Sequence, residues 1–424
     1  MAKKKVKLWK KGSGSLFETF AMELCDYTKD GVSPAHGDLD LQYSLELQHK
    51  RLEEKNLSMS YELIPRGQFP YKCPNGRSWS DEHYRSDMEW RTCRLERKIY
   101  RENDCVFRSK KPMILYQNIT NALGMDKVAD DVHTCPACGA ISTLGTLEKG
   151  CPYCGSFFKM SDLFPKTTNY YFIEDSGRTG EEMKWDILSV VIPTAVVFII
   201  YLIFKFLRET PDANVPWTIT VSIIGGAIGG GIIGYMLWAI LKLFKLFWEA
   251  GRSMPLLFNM GGSRYKFERL MKKHSPEFAW EYFSDKVISL LKMILYAENP
   301  TELPSYVGDS LNGLFDDIVD SHYTGAVGLK KFKIEGDWCY VTADTYMDNV
   351  YDVNGRVRQK RDRIRVHLYR NLTSAMNINF SIKHIQCKNC GSSFDATKQR
   401  NCPACETRYE IGGDDWVVLR IERV

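Results

Sequence analysis

Two stretches of the chain run without a charge for longer than the core of a soluble protein requires. Residues 187–204 read ILSVVIPTAVVFIIYLIF, and residues 215–241 open VPWTITVSIIGG and stay uncharged to Leu241. Each is long enough to cross ~30 Å of hydrocarbon as a helix. The pattern predicts a transmembrane hairpin within 184–248, with spans at 187–207 and 215–241. Pro211 suits the short turn between them, and Pro193 is placed to kink the first span. The second span carries Gly225, Gly226, Gly229, Gly230, Gly231 and Gly234, several of them four residues apart. Such a stripe admits a second backbone at close range, either the first span of the same chain or another copy. No Asp, Glu, Lys or Arg lies within residues 187–204 or 215–241, so nothing marks an ion path.

Outside the hairpin the period changes. Residues 1–183 read as a β-rich domain, with alternating apolar positions at 38–47 (DLDLQYSLEL) and 57–64 (LSMSYELI) as strands and 70–75 as a loop. Residues 252–424 open helically. Ser275-Pro276-Glu277 predicts a helix start, and Phe278, Phe283, Val287, Leu290, Leu291 and Ile294 supply one apolar face up to Asn299-Pro300. A second helix is expected from Asp309 or Ser310, burying Leu311, Leu314, Phe315, Ile318 and Val319. Strands are expected at 329–335, 338–352 and 356–371, with Asn354-Gly355 turning between the last two and DDWVVLRIERV returning as a final strand. The fold class is α+β, a sheet wrapped as a cone around helices. YQNITNAL at 116–123 echoes YRNLTSAM at 369–376, and NYYFIED stands where DDWVVLR stands later. The two halves therefore share a strand–strand–ribbon–strand unit.

Eight of the 13 cysteines form four CxxC pairs. Cys135, Cys138, Cys151 and Cys154 make one set, and Cys387, Cys390, Cys402 and Cys405 the other. Two tight knuckles per set supply the four thiolates that tetrahedral zinc requires, predicting zinc ribbons at about 133–157 and 385–407. Gly139, Gly155 and Gly391 follow three of the knuckles and relieve crowding around the sulfurs. Four sulfur ligands leave no open position for water, so the two zinc ions are read as structural. Cys25, Cys73, Cys93, Cys105 and Cys339 show no ligand spacing and read as ordinary thiols. Reduced thiolates point to a reducing compartment.

Charge refines this picture only slightly. Lys and Arg number 57 against 52 Asp and Glu, too small a surplus for a dedicated nucleic-acid binder. Arg178 and Lys184 precede the first span, and Lys242, Lys245, Arg252, Arg264 and Lys266 follow the second. The loop holds only Lys205 and Arg208, offset by Glu209 and Asp212. That bias predicts a two-span protein of the cell membrane with both termini cytoplasmic. The stretch after the second span, LKLFKLFWEAGRSMPLLF, suits a membrane surface. MAKKKVKLWKK at the start is a solubilising tail or a contact to anionic lipid. The eight histidines are scattered, Asp316/Asp317 reads as a solvated face, and no nucleophile–base set or phosphate loop stands out.

The helix region SPEFAWEYFSDKVISLLKMILYAENPTELPSYVGDSL and the strand pair VTADTYMDNVYDVNGRVRQKRDRIRVHLYR resemble the Tim-forty-four-like domain family. The ribbon followed by Asp-Trp-Val, from Cys387 to Val418, is similar to bacterial, membrane-anchored members that carry a zinc ribbon. The likeness covers about 160 residues. It implies a cone of the nuclear-transport-factor-two-like type that sits on a membrane and contacts lipid or protein partners. The integral hairpin departs from the peripheral import subunit for which the family is named. Three functions follow as expectations. The first is a non-enzymatic scaffold that binds a protein partner or lipid surface, with homo-oligomer formation through the glycine-rich span as an option. The others are a ligand-binding or enzymatic cone, and nucleic-acid binding through Lys388, Lys398, Arg400 and Arg408.

Overall fold

The computed structural model describes residues 15–66, 79–80, 84–122, 130, 132–135, 138–155, 165–175, 180–209, 214–260, 262–276, 278–373, 384–387, 389–390, 392–395, 398–408 and 416–424. The N-terminal basic run, the loop expected at 70–75, Lys388 and Gly391 lie outside the described residues. The chain divides into two compact units, one made of residues 1–175 with 259–424, the other of residues 176–258.

The first unit begins with α1 (Leu16–Asp30) and α2 (Leu39–Glu54). Ser15 caps α1 by accepting from the Glu18 N–H, and Gly31 closes it at φ 71°. Then come β1 (Leu57–Pro65), β2 (Trp79–Ser80), β3 (Tyr84–Arg101) and β4 (Asp104–Ala122). A small module of β5 (Val132–Thr134), β6 (Ile141–Thr143) and α3 (Leu144–Glu148) precedes β7 (Lys166–Glu174). The sheet is antiparallel in the order β1-β3-β4-β7, with β2 on β3.

Helices α4 (Gly180–Glu209) and α5 (Val215–Met260) follow, then α6 (Gly262–His274) and α7 (Trp280–Tyr296). After them come β8 (Ile318–Glu335), β9 (Trp338–Val353), β10 (Arg356–Asn371), the short pair β11 (His384–Gln386) and β12 (Ser393–Asp395), and β13 (Val417–Arg423). The second sheet runs β13-β10-β9-β8. Both halves thus pair three successive antiparallel strands, insert a cysteine module, and return a fourth strand beside the third. In both, a loop makes one parallel bridge to that last strand, Gly37 to Thr167 and Tyr306 to Val418.

Several expectations need correction. Residues 38–47 are not a strand. They begin α2, capped by Asp38, whose carboxylate accepts from the Leu41 N–H at 2.8 Å. The alternating leucines mimic a strand, but burial follows Leu41, Leu45 and Leu52, a helical spacing. No helix starts at Asp309 or Ser310: residues 312–317 form turns, because Asn312 at φ 47° and Gly313 at φ 76° interrupt a right-handed helix. Leu314 is accordingly exposed rather than buried. Ser275 closes α6, its N–H bonding to the Met271 carbonyl, so α7 starts later, after Ala279. It ends at Tyr296, before the predicted stop, and β8 starts at Ile318, eleven residues ahead of the expected 329.

The segments read as separate N- and C-terminal domains share one unit because their apolar faces complete each other. One core joins Ile114, Tyr116 and Tyr171 of the first half to α6, α7 and the second sheet. The other joins α1, α2 and the first sheet to Val319 and Val350. Tyr171 stacks on Tyr116 with centroids 5.0 Å apart and meets Tyr323 edge-on at 5.2 Å. Stripping either half would expose a tyrosine-lined face to water.

The second unit has two helices long and apolar enough to cross a membrane, Met183–Glu209 and Val215–Lys245. None of the most apolar window of the first is buried, unlike a soluble core helix. α4 continues through Pro193, and α5 continues unbroken to Met260. The glycine stripe packs within the chain. A Cβ on Gly226 would lie 2.7 Å from the Ile199 Cα, on Gly230 2.6 Å from the Ala195 Cα, and on Gly234 2.8 Å from the Val191 Cα. Gly231 faces open space. We expect Gly230→Leu to destabilise the hairpin by about 1–3 kcal/mol through overpacking, while Gly231→Leu leaves it unchanged. Thermal unfolding of the two variants in matched micelles checks this; equal losses would refute the contact. At one end of the pair, Asp186 accepts from the Trp238 indole at 3.2 Å and lies 3.6 Å from the Lys242 ammonium.

Candidate metal centres and the buried polar joint

The sulfurs of Cys135, Cys138, Cys151 and Cys154 all lie within 4.8 Å of one another, and so do those of Cys387, Cys390, Cys402 and Cys405. Cys135 and Cys154 are 3.8 Å apart, as are Cys138 and Cys151. In the second cluster the pairs Cys387/Cys405 and Cys390/Cys402 are 3.5 Å apart. A tetrahedron with metal–sulfur bonds of about 2.3 Å has edges of about 3.8 Å. A disulfide would need about 2.05 Å, so these eight thiols are not bridged. Each cluster can hold one metal ion, and the geometry is compatible with zinc. Each site pairs two buried sulfurs with two nearer the surface.

Backbone turns build the knuckles. The N–H of Gly139 bonds to the Cys135 carbonyl at 2.8 Å, that of Gly155 to Cys151 at 2.9 Å, and that of Glu406 to Cys402 at 2.8 Å. The bonding residue is left-handed each time, at φ 76°, 69° and 61°. Glycine adopts that conformation without strain; Glu406 does not. The first module adds a miniature core of Leu144 and Leu147 against Cys135 and Cys151. It also presents Val132, Ile141 and Tyr153 to solvent, each at least 66 % exposed. The second module is tied to the body of its unit. Lys398 meets Glu46 at 2.8 Å and lies over the Tyr43 ring, and Arg400 bonds to the Thr301 carbonyl at 3.3 Å. Two of the basic residues on which the nucleic-acid expectation rests are therefore engaged within the chain.

A second constellation has no counterpart in the sequence reading. Asp320, at the start of β8, lies between the halves at 1 % exposure. Arg97 of β3 donates to it at 2.6 Å, the Tyr61 hydroxyl of β1 stands 2.9 Å from both its oxygens, and the Gln48 amide of α2 donates at 2.9 Å. His322 Nε2 lies 2.6 Å from the Tyr61 oxygen. With the tyrosine donating to the carboxylate, the imidazole is neutral and donates from Nε2. Burial pushes His322 down to about 3. Burial alone would raise Asp320, but the Arg97 charge and the hydrogen bonds from Arg97 and Tyr61 outweigh it and hold the carboxyl below its ordinary value. Nearby, Arg51 of α2 donates to the carbonyls of Phe315 and Ala297 at 2.9 and 2.8 Å. Across α7, burial raises Asp285 to about 8 and lowers Lys292 to about 8. Asp320, Arg97, Tyr61, Gln48 and His322 are each at most 6 % exposed, and together they form a buried joint between the halves.

Of the remaining thiols, Cys93 and Cys339 are buried, Cys25 is partly buried and Cys105 is exposed, while Cys73 lies outside the described residues. Burial pushes Cys93 and Cys339 up to about 12, leaving them unreactive. No family model, no curated protein and no solved structure matches the chain.

Proposed function

We propose that the chain is a two-span membrane scaffold, non-enzymatic, whose cytoplasmic unit carries two structural zinc ions and binds a protein partner. The observation that carries this reading is the first cysteine module. A metal-pinned element of this size holding Val132, Ile141 and Tyr153 in water has the composition of a recognition surface rather than of a solvated loop. The long apolar helices support the membrane anchor, and the basic residues flanking their outer ends support cytoplasmic termini in the cell membrane. The second sheet packed on α7 is in keeping with a cone of the nuclear-transport-factor-two-like type and with the Tim-forty-four-like resemblance. Closed four-sulfur sites fit a binding role.

The test is affinity purification of the full chain from detergent-solubilised native membranes, comparing wild type with Ile141→Asp/Tyr153→Ser. A stoichiometric protein partner should be lost in the variant while its metal content and melting temperature stay at wild-type values. Retention of the partner by the variant, or a wild-type chain that purifies alone, would overturn the reading. Cys387→Ser/Cys390→Ser serves as a second comparison, because losing the second module should spare a partner bound at the first.

A further inference from the structure

The outer face of the second sheet carries a groove of about 710 Å³ whose rim is basic. Lys330, Lys331 and Lys333 of β8 line it, and Lys266 of α6 approaches from the side. The register places Lys331, Thr342 and His367 in one cross-strand row and Lys333, Tyr340 and Tyr369 in the next. Residues in one row project to the same face about 4.8 Å apart per strand. Leu329, Phe332 and Val341 also border the groove, but their side chains project to the opposite face, into the core shared with α6 and α7. Rings wall the groove: Tyr340 stacks with Tyr369, centroids 6.3 Å apart, and His367 is fixed at both nitrogens by Thr342 at 3.1 Å and Glu422 at 3.2 Å.

The charges around this groove do not balance. Asp344 alone faces Lys330 at 3.7 Å, Arg365 at 2.8 Å and Arg363. Glu335 pairs with Lys333. Among the described residues, no carboxylate lies within ion-pair distance of Lys266 or Lys331. Six cations thus confront three carboxylates on this face, Asp344, Glu335 and the Glu422 that meets His367, in a chain whose whole surplus is +5. Lysine ammonium groups suit phosphate as point charges. The volume suits one small ligand, since such sites span about 300–1,000 Å³. We propose that this groove binds a small aromatic phosphate of the nucleotide class, with phosphate oxygens on Lys266 and Lys331 and the ring system against Tyr340 and Tyr369.

The proposal is independent of partner binding through the first cysteine module, and its test is separable. The full chain in detergent micelles is titrated with a fluorescent ATP analogue, with ATP and inorganic pyrophosphate as competitors. Saturable binding to one site is expected, weakened at least tenfold in Lys266→Glu/Lys331→Glu and retained in Lys266→Arg/Lys331→Arg. Lys272→Glu, which alters the exposed side of α6 where Lys272 pairs with Glu268, should bind as wild type. The arginine pair controls for folding. No saturable binding, equal affinity in the glutamate variant, or displacement only by single-stranded oligonucleotide or anionic phospholipid vesicles would overturn the assignment.

Discussion

Purified in detergent without chelator, the chain is expected to carry two zinc ions, and Cys402→Ser one. The physical basis is that a four-sulfur site does not hold its ligands together without a cation. Eight thiolates brought to 3.5–3.8 Å repel once ionised, and as thiols they gain only weak S–H···S hydrogen bonds at that spacing. The apparent binding free energy of structural zinc in such sites is about 10–16 kcal/mol, far more than either small module derives from its own packing. Chelation should therefore unfold both modules, with different consequences. The first has Leu144 and Leu147 as its own core, and its loss exposes a local segment. The second immediately precedes β13, whose Val417 and Val418 are fully buried, so its loss should also loosen an edge of the second sheet. Elemental analysis and limited proteolysis check this. New cleavage should fall within 133–157 and 385–407, and the cuts in the second region should be accompanied by a lower melting temperature. A metal-free chain with unchanged cleavage and melting would end the metal-centre reading.

Asp320→Ala should be the most damaging single substitution outside the metal sites. It leaves Arg97 buried, its own exposure only 3 %, without its ion-pair carboxylate. Breaking one partner of a buried pair costs about 3–5 kcal/mol. It also strips the Tyr61 hydroxyl of its carboxylate acceptor and leaves Gln48 with only the Val319 carbonyl. Arg97→Met/Asp320→Leu should recover most of the loss, since the penalty resides in the orphaned charge and not in the missing attraction. Denaturant unfolding of the three variants measures this; an Asp320→Ala loss below about 1 kcal/mol would show that water reaches the joint. His322 adds a pH signature. Its native pKa of about 3 lies below the ordinary 6.5. Between those values the unfolded chain binds a proton that the native one refuses, so stability is full above pH 6.5 and falls as the pH drops towards 3. In His322→Gln the midpoint should fall less steeply over that window. The same slope in both would place the acid sensitivity elsewhere.

The sequence revealed the long strands through their own local patterns. Residues 338–371 alternate regularly and turn at Asn354-Gly355, where Asn354 takes φ 50° and Gly355 φ 81°, so the β9–β10 hairpin needs no distant partner to be recognised. Helix α2 was misread because Leu39, Leu41, Tyr43, Leu45 and Leu47 satisfy a period of two. What decides for a helix is that Gln48 and Arg51 reach groups more than 240 residues away. The capping pair Ser15 and Glu18 with Gly31 could have revealed α1, since those signals are local. The lysines at 330, 331 and 333 were visible, but a charge run becomes a groove only when Lys266 and His367 arrive from other elements.

By itself, then, the sequence determined what depends on residues near one another in the chain. The two uncharged spans owe their character to length and composition, and the knuckles to spacing within a single turn. The hairpin turns need only a residue that accepts positive φ. The tertiary structure decided what depends on contacts between distant segments. It seated the glycine stripe against the first span of the same chain, where backbone atoms meet at Ile199, Ala195 and Val191. It also fused two halves that each read as a domain, because Asp320 finds Arg97, Tyr61 and Gln48 only after both sheets have formed. A buried carboxylate is tolerated only where its partners converge, and convergence across more than 220 residues leaves no periodic trace in a sequence.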